Sequence, residues 1–283
     1  MKKSNATYNA SVEIVISSDE ARVIRVYPDG YKMKYKPGQY GSLGLLKSDI
    51  NPEKLVKRAF CISSSMINIS DRKLINHEDI DYYEFYFNKV PNTGREQLTP
   101  KLFGLNNGDR LFCGEKIVGY YTTDNLMDGM NILLLGTTTG ESPNNSIVTE
   151  LLLHERASRI CNISVGPPKW KSLYMEQHQA LMKLHSNYLF RTINTQRILD
   201  LENLIASALK DEDYSINNIG FNLNCKSSHI FLSGDPAMIG APKKKGRWEY
   251  EHSKGGVVPI ITANGFEVST RFKPGNVEYE CYW

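Results

Sequence analysis

The stretch Asn131-Ile132-Leu133-Leu134-Leu135-Gly136-Thr137-Thr138-Thr139-Gly140 decides the fold. Ile132 to Leu135 is an unbroken apolar run with no side chain suited to water. A half-exposed strand alternates; a continuous run is what a parallel strand buried on both faces requires. The run stops at glycine and threonine, and a helix is predicted next. Ile147, Leu151 and His154 share one face there, with Pro143 in the first turn, where its missing N–H costs nothing. Strand, glycine-bearing turn and helix open a βαβ unit.

Toward the C-terminus the pattern repeats. Strands are predicted at 159–165, 188–193 and 229–233, with helices near 173–184, 199–209 and 254–264. Val277, Tyr279 and Cys281 alternate with Glu278, Glu280 and Tyr282 as a closing strand. Such alternation predicts an α/β nucleotide-binding domain with a parallel sheet.

Toward the N-terminus the pattern is different. Val12, Ile14 and Ile16 alternate with Glu13, Val15 and Ser17. Further short strands are predicted at 22–27, within 32–45, at 82–90 and at 110–114, with a brief helix at 99–105 and excursions at 48–55 and 67–81. Short strands at this spacing predict an antiparallel barrel or sandwich. The change falls near 126–129, so two domains are expected, 1–127 and 128–283. A chain of 283 residues accommodates both.

Composition narrows the function classes. Lys plus Arg is 34 against 31 for Asp plus Glu, a net charge of +3. That is too mild to argue for nucleic acid. A bilayer span needs about 20 apolar residues and no run approaches that. The start lacks a signal peptide's apolar region, so a cytoplasmic protein is expected. The 5 cysteines are scattered without a CxxC, and the 6 histidines form no HExxH, so no metal site is expected.

Two stretches have the chemistry of a cofactor site. Thr137, Thr138, Thr139 and Gly140 sit between a buried strand and a helix, where free N–H groups suit a pyrophosphate. Gly234-Asp235-Pro236 follows the strand at 229–233, on the same carboxyl edge where open α/β sheets bind ligands. Alone, the first loop also reads as an ordinary glycine-rich turn. Arg58-Ala59-Phe60-Cys61-Ile62-Ser63 places a guanidinium, an aromatic ring and small polar groups on one extended stretch. A diphosphate with a flat ring needs such partners. Alone, this stretch also reads as a barrel strand with a surface arginine and a core phenylalanine.

Taken in order, these residues resemble the bacterial-type ferredoxin–NADP⁺ reductases. Tyr35-Lys36-Pro37-Gly38-Gln39-Tyr40 resembles the family's PGQ(F/Y) stretch, and Arg58-Ala59-Phe60-Cys61 sits where RxYS belongs. The segment from Val90-Pro91 through Leu98-Thr99 to Asn107-Gly108-Asp109 is similar to the one that closes around the FAD diphosphate. Gly136 to Pro143 resembles GTGxxxP, and Ser233-Gly234-Asp235-Pro236-Ala237-Met238 resembles (C/S)G(N/D)PxM. The terminal Tyr282-Trp283 matches the family's aromatic ending.

The resemblance implies an FAD-binding barrel (1–127) and an NADP-binding domain (128–283). It implies hydride exchange between NADP(H) and flavin N5, with ferredoxin or flavodoxin as electron partner. The alternatives are a related flavin reductase or electron-transfer subunit with another acceptor, and a flavin-binding module that has lost hydride transfer. By position, Arg58 holds the FAD diphosphate, Phe60 stacks on the flavin and Cys61 sits near N5, the last two as catalytic candidates. Ile62, Ser63, Leu98 and Thr99 complete the FAD contacts, and Trp283 packs on FAD. Thr137, Thr138, Thr139, Gly140 and Pro143 cradle the NADP pyrophosphate, with Gly234, Asp235 and Met238 beside the nicotinamide. The chain departs from the family at Phe60 for Tyr, Cys61 for Ser and Thr138 for the middle Gly. Where an arginine usually meets the 2′-phosphate it has Gln196, with Arg197 adjacent and Arg191 nearby.

Overall fold

The computed structural model describes residues 8–30, 32–47, 54–90, 97–240, 243–244, 250–251, 255–270 and 272–282. Its N-terminal half contains β1 (Ala10–Ser17), β2 (Ala21–Pro28), β3 (Tyr40–Leu46), β4 (Leu55–Ser63), β5 (Ile67–Asn68), β6 (Lys73–Leu74), β7 (Tyr83–Asn88), α1 (Leu98–Phe103) and β8 (Arg110–Cys113). Six of these strands close an antiparallel barrel in the order β1-β2-β7-β4-β3-β8, with β8 pairing back onto β1 at Ala10↔Leu111. The excursion at 67–81 holds the small β5–β6 ladder.

Strand periodicity fills the barrel. Tyr83, Phe85 and Phe87 of β7 point inward with Ile24 and Val26 of β2 and Leu43 and Leu45 of β3. Leu98 and Leu102, one helical turn apart on α1, are fully buried in that same core. Some outward positions are covered as well. Val23 and Tyr86 join Ile132, Leu134, Ile147 and Leu151 of the second half in one hydrophobic cluster.

That second half runs β9 (Met130–Thr137), α2 (Glu141–Leu153), β10 (Ala157–Gly166), α3 (Met175–Leu184), β11 (Tyr188–Asn194), α4 (Ile198–Lys210), α5 (Glu212–Ile219), β12 (Ser228–Gly234), α6 (Pro236–Ile239), β13 (Lys243–Lys244), β14 (Tyr250–Glu251), α7 (Val257–Ala263) and β15 (Val277–Cys281). Its main sheet is parallel throughout, in the order β11-β10-β9-β12-β15. The apolar run behaves as its pattern requires. Ile132 and Leu134 pack into the cluster shared with the barrel, while Leu133 and Leu135 pack on the opposite face against Ile205, Ile230 and Val258.

Two helices are among the departures from the sequence expectation. The helix expected at 254–264 begins only at Val257, because Gly256 has φ +93° and a Cβ there would lie 2.4 Å from Gly240. Helix α5 was not expected; Asp211 starts it by accepting the Tyr214 N–H at 3.0 Å, a capping signal hidden behind the polar run that follows α4. Among the described residues no helix is long and apolar enough to cross a membrane.

Candidate functional site

Strand order reverses direction between β9 and β12, and the carboxyl ends of those strands meet there. This is the position at which open α/β sheets form a ligand crevice. The contact is unusually close. A Cβ on Gly136 would stand 2.8 Å from the Gly140 carbonyl carbon and 2.9 Å from Glu141 N. A Cβ on Gly234, at φ +113°, would stand 2.2 Å from Thr137 Oγ1. Thr137 Oγ1 accepts the Asp235 N–H at 2.7 Å, and Ser233 Oγ donates to the Gly140 carbonyl at 2.6 Å. Side-chain hydroxyls therefore tie the two turns together. Gly140 is consumed in this packing, and Pro143 is buried in the first turns of α2.

Thr138 has φ +47°, a conformation uncommon for a β-branched residue and natural for glycine. Threonine in place of the middle glycine therefore carries a backbone cost. Thr138→Gly is expected to stabilise the fold by about 0.5–1 kcal/mol, the relief of strain less the glycine's added unfolded-state freedom. Nucleotide affinity should rise or stay constant. Denaturant titration together with nucleotide calorimetry checks both; a large loss of affinity would show the threonine hydroxyl to be a ligand donor.

A cavity of about 240 Å³ opens at this edge, lined by Thr137, Thr138, Arg197, Asp235 and Met238 among others. A second, of about 990 Å³, lies between the barrel and the sheet, with Asn88, Lys89 and Phe103 on one wall and Pro167, Trp170 and Lys171 on the other. Thr138 and Pro167 line both, so the two cavities adjoin at the threonine turn. Met238 is almost fully buried in the wall, and Asp235 caps α6 by accepting the Ala237 N–H at 2.8 Å. Thr139 is half-buried in the turn before α2. Arg197 is the N-cap residue of α4, its side chain 71 % exposed. Arg191 lines neither cavity and donates instead to the Asn217 carbonyl at 2.7 Å.

The Arg58–Ser63 stretch lies on β4. Arg58 is exposed and has no hydrogen-bond or ion-pair partner among the described residues. Phe60 is half-buried, its ring centroid 5.9 Å from that of Phe87. Cys61 is buried, and burial pushes its thiol up to about 12, against a small opposing pull from the Tyr282 hydroxyl beside it. It is therefore a thiol, a weak donor, at neutral pH. Ile62 and Leu98 point into the barrel core, leaving only their main chain for a ligand. Ser63 is buried, and Thr99 is half-buried on α1. Trp283 lies outside the described residues, as do Pro91 to Arg95 and Glu96 of the diphosphate segment.

Strand β4 is joined directly to the helix that follows the threonine turn. Ser142 Oγ donates to the Cys61 carbonyl at 3.1 Å and Ser146 Oγ to the Ile62 carbonyl at 2.7 Å. The arginine–aromatic strand and the switch-point turn are thus held as one unit.

Several buried polar residues here were not singled out from sequence. Glu141, in the first turn of α2, accepts from His178 Nε2 at 2.8 Å and from Ser172 Oγ. Burial lowers the His178 pKa, and the Tyr188 hydroxyl lies 2.8 Å from its Nδ1. His178 is fully buried, its ring stacked 3.5 Å from that of Phe190. On β15, the carboxyls of Glu278 and Glu280 are both pushed up to about 7 by burial. Their alternation reads as a solvent face in the sequence, but Asn125 and Ser269 cover Glu278, donating to its Oε1 at 3.0 and 2.5 Å.

Glu278 gives stability a pH dependence. In the unfolded chain its carboxyl ionises near 4.5, in the folded chain only near 7. The folded state therefore holds the extra proton between those values, and stability falls as pH rises through that window, then levels off. Glu278→Gln keeps the acceptor oxygen and removes the ionisation. It should be neutral near pH 4.5 and stabilising by roughly 2–3 kcal/mol above pH 7. Urea titrations across that range check it; a pH-independent difference would refute it.

No family model matches the chain. A flavodoxin/ferredoxin–NADP reductase of Buchnera aphidicola (subsp. Baizongia pistaciae) is 23% identical over 252 residues, covering 88% of each chain. The ferredoxin–NADP reductase of Pseudomonas aeruginosa is 30% identical over 140 residues, 50% of this chain and 46% of the relative. Among solved structures, a ferredoxin NADP⁺ reductase from Neisseria gonorrhoeae with bound FAD and NADP superposes with a TM-score of 0.71 at 15% identity, over 98% of both chains. That structural likeness establishes the barrel-plus-sheet fold, and the curated relatives supply the sequence kinship. On both grounds the chain is similar to the ferredoxin–NADP reductases, in sequence to the curated relatives and in fold to the solved structure.

Proposed function

We propose that this chain is a cytoplasmic FAD-dependent oxidoreductase that exchanges electrons between NADP(H) and ferredoxin or flavodoxin. The observation that carries the reading is the pair of adjoining cavities between the switch-point turns and the barrel, with Thr138 and Pro167 common to both. Its chemistry fits a dinucleotide and a flavin. Gly136 and Gly234 stand where a Cβ would fill the turn, Arg58 is an unpaired guanidinium, and Ser64 Oγ is buried without a partner beside it in sequence. When bound, FAD supplies two-electron exchange with nicotinamide and one-electron exchange with the protein partner.

The chain's own residues bind and orient. Residues 1–127 form the FAD-binding part and 128–283 the nucleotide-binding part. Arg58 pairs with the diphosphate through a charge-assisted contact, while Phe60 offers a ring face. Ile62, Ser63, Leu98 and Thr99 contribute main-chain and hydroxyl donors, and Trp283 packs on the flavin. Cys61 donates its S–H at the reacting edge and, being un-ionised, adds no charge there. Thr137, Thr138, Thr139 and Gly140 present the pyrophosphate turn, with Pro143 setting the start of α2. Gly234, Asp235 and Met238 border the nicotinamide. Buried Tyr121 and Cys61, with half-buried Tyr282 beside them, exclude water from the inner wall.

Anaerobic titration tests the whole reading. The purified protein, reconstituted with FAD, should show flavin absorbance that NADPH bleaches and that oxidised ferredoxin or flavodoxin restores. Failure to take up FAD would sink the proposal. Uptake without bleaching would reduce it to a flavin-binding module.

A further inference from the structure

The outer end of the smaller cavity is built where β11 gives way to α4. Thr195, Gln196 and Arg197 line it, and among the described residues Arg197 is the one cation that does. Its charge is already engaged. Arg197 Nε lies 3.6 Å from Asp200 Oδ1, in the first turn of α4. Asp200 Oδ2 also accepts the Thr195 hydroxyl at 2.6 Å, and Thr195 Oγ1 accepts the Arg197 N–H at 3.0 Å. The three residues form a closed triangle at the start of α4.

We propose that Asp200 is the residue that sets nucleotide choice, holding Arg197 in an ion pair and so keeping the discrimination between NADPH and NADH small. This rests on reading the cavity as the adenosine end of a dinucleotide site. A 2′-phosphate is recognised best by an unpaired, bidentate guanidinium. Here its partner is a guanidinium already paired with a neighbouring carboxylate. An adenosine with a free 2′-hydroxyl does not compete for that guanidinium. The 3.6 Å contact is an ion pair and not a hydrogen bond, so the five N–H donors of Arg197 remain for a phosphate, which still gains something from the outer edge. Arg191, the other candidate cation on this side, is turned to the Asn217 carbonyl and takes no part.

The proposal separates from its premise by calorimetry on the purified full chain, with 2′-phospho-AMP and AMP as probes. Asp200→Asn keeps an oxygen for the Thr195 hydroxyl, so the start of α4 is retained, and far-UV dichroism confirms it. The variant should bind 2′-phospho-AMP about threefold to tenfold more tightly than the native chain, with AMP unchanged within about twofold. Arg197→Ala should weaken 2′-phospho-AMP selectively, and the gain from Asp200→Asn should vanish in the Arg197→Ala background. The ratio of NADP⁺ to NAD⁺ affinity should move in the same sense. If both probes bind and Asp200→Asn leaves their ratio unchanged, or the gain survives without Arg197, the role of Asp200 is overturned while the dinucleotide site stands. If neither probe binds any of the proteins, the dinucleotide reading of the cavity falls, and this proposal with it.

Discussion

Arg58→Ala is expected to weaken FAD binding by about 10-fold to 100-fold, the equivalent of about 1.5–3 kcal/mol for a charge-assisted contact. The guanidinium is exposed on β4 and pairs with nothing among the described residues, so removing it should leave folding stability nearly unchanged. That separation makes the experiment clean. Flavin fluorescence quenching measures FAD affinity in native and variant apoprotein, and thermal denaturation of the same samples reports the fold. Arg58→Lys should recover only part of the loss, since an ammonium retains the charge but not the fork that matches two phosphate oxygens. Equal affinity in native and Arg58→Ala protein would remove β4 from the cofactor site.

The largest effect on stability is expected at Glu84. This residue sits on the outward face of β7, only 1% exposed, between the barrel and the sheet. Its Oε1 accepts the Tyr174 hydroxyl at 2.8 Å from across the boundary, and its Oε2 meets Arg25 Nε at 3.3 Å and the Ser65 hydroxyl. Burial raises its pKa, and Ser65, Arg25 and Tyr174 pull against that rise. Glu84→Ala strands a partly buried guanidinium and a fully buried phenol at once. Breaking a buried pair from one side costs about 3–5 kcal/mol. For a chain of this size that is a fall in Tm of about 6–15 °C. Glu84→Gln, which still accepts from Tyr174, should lose less. Scanning calorimetry decides; a change below about 1 kcal/mol would mean that water takes over the vacated positions.

Much of this architecture is legible in local pattern. Ile132 to Leu135 announce a strand buried on both faces, and each face finds a different cluster. The alternation of Val12, Ile14 and Ile16, and the turn glycines after the strands at 131–135 and 229–233, locate the barrel and the switch point. Residues fixed by distant partners are not legible in this way. Glu141 and His178 stand 37 positions apart, and nothing local marks them as a pair. Glu278 and Glu280 follow a perfect solvent-face alternation, yet β15 is covered on that face. The strain at Thr138 is visible in sequence only as a missing glycine; its φ of +47° makes it a physical quantity. Arg197 is conspicuous as a cation, whereas its engagement by Asp200 depends on how α4 begins.

The hydrophobic cluster that Val23 and Tyr86 share with Ile132, Leu134, Ile147 and Phe231 bears on how the chain is made. Translation delivers the barrel strands first. Until residues 130–231 have emerged, the outward side chains of β2 and β7 have only the few apolar residues of their own half, Met66 and Ile67 among them, to cover them, and Glu84 has no Tyr174. A nascent barrel is therefore a sticky intermediate that waits on its second half, the kind of species on which chaperones act. Once formed, neither half can melt without baring the other, so heating should produce one calorimetric transition and limited proteolysis should release no stable barrel fragment. Swapping nucleotide-binding halves between relatives would fail for the same reason unless the outward residues of β2 and β7 moved with them.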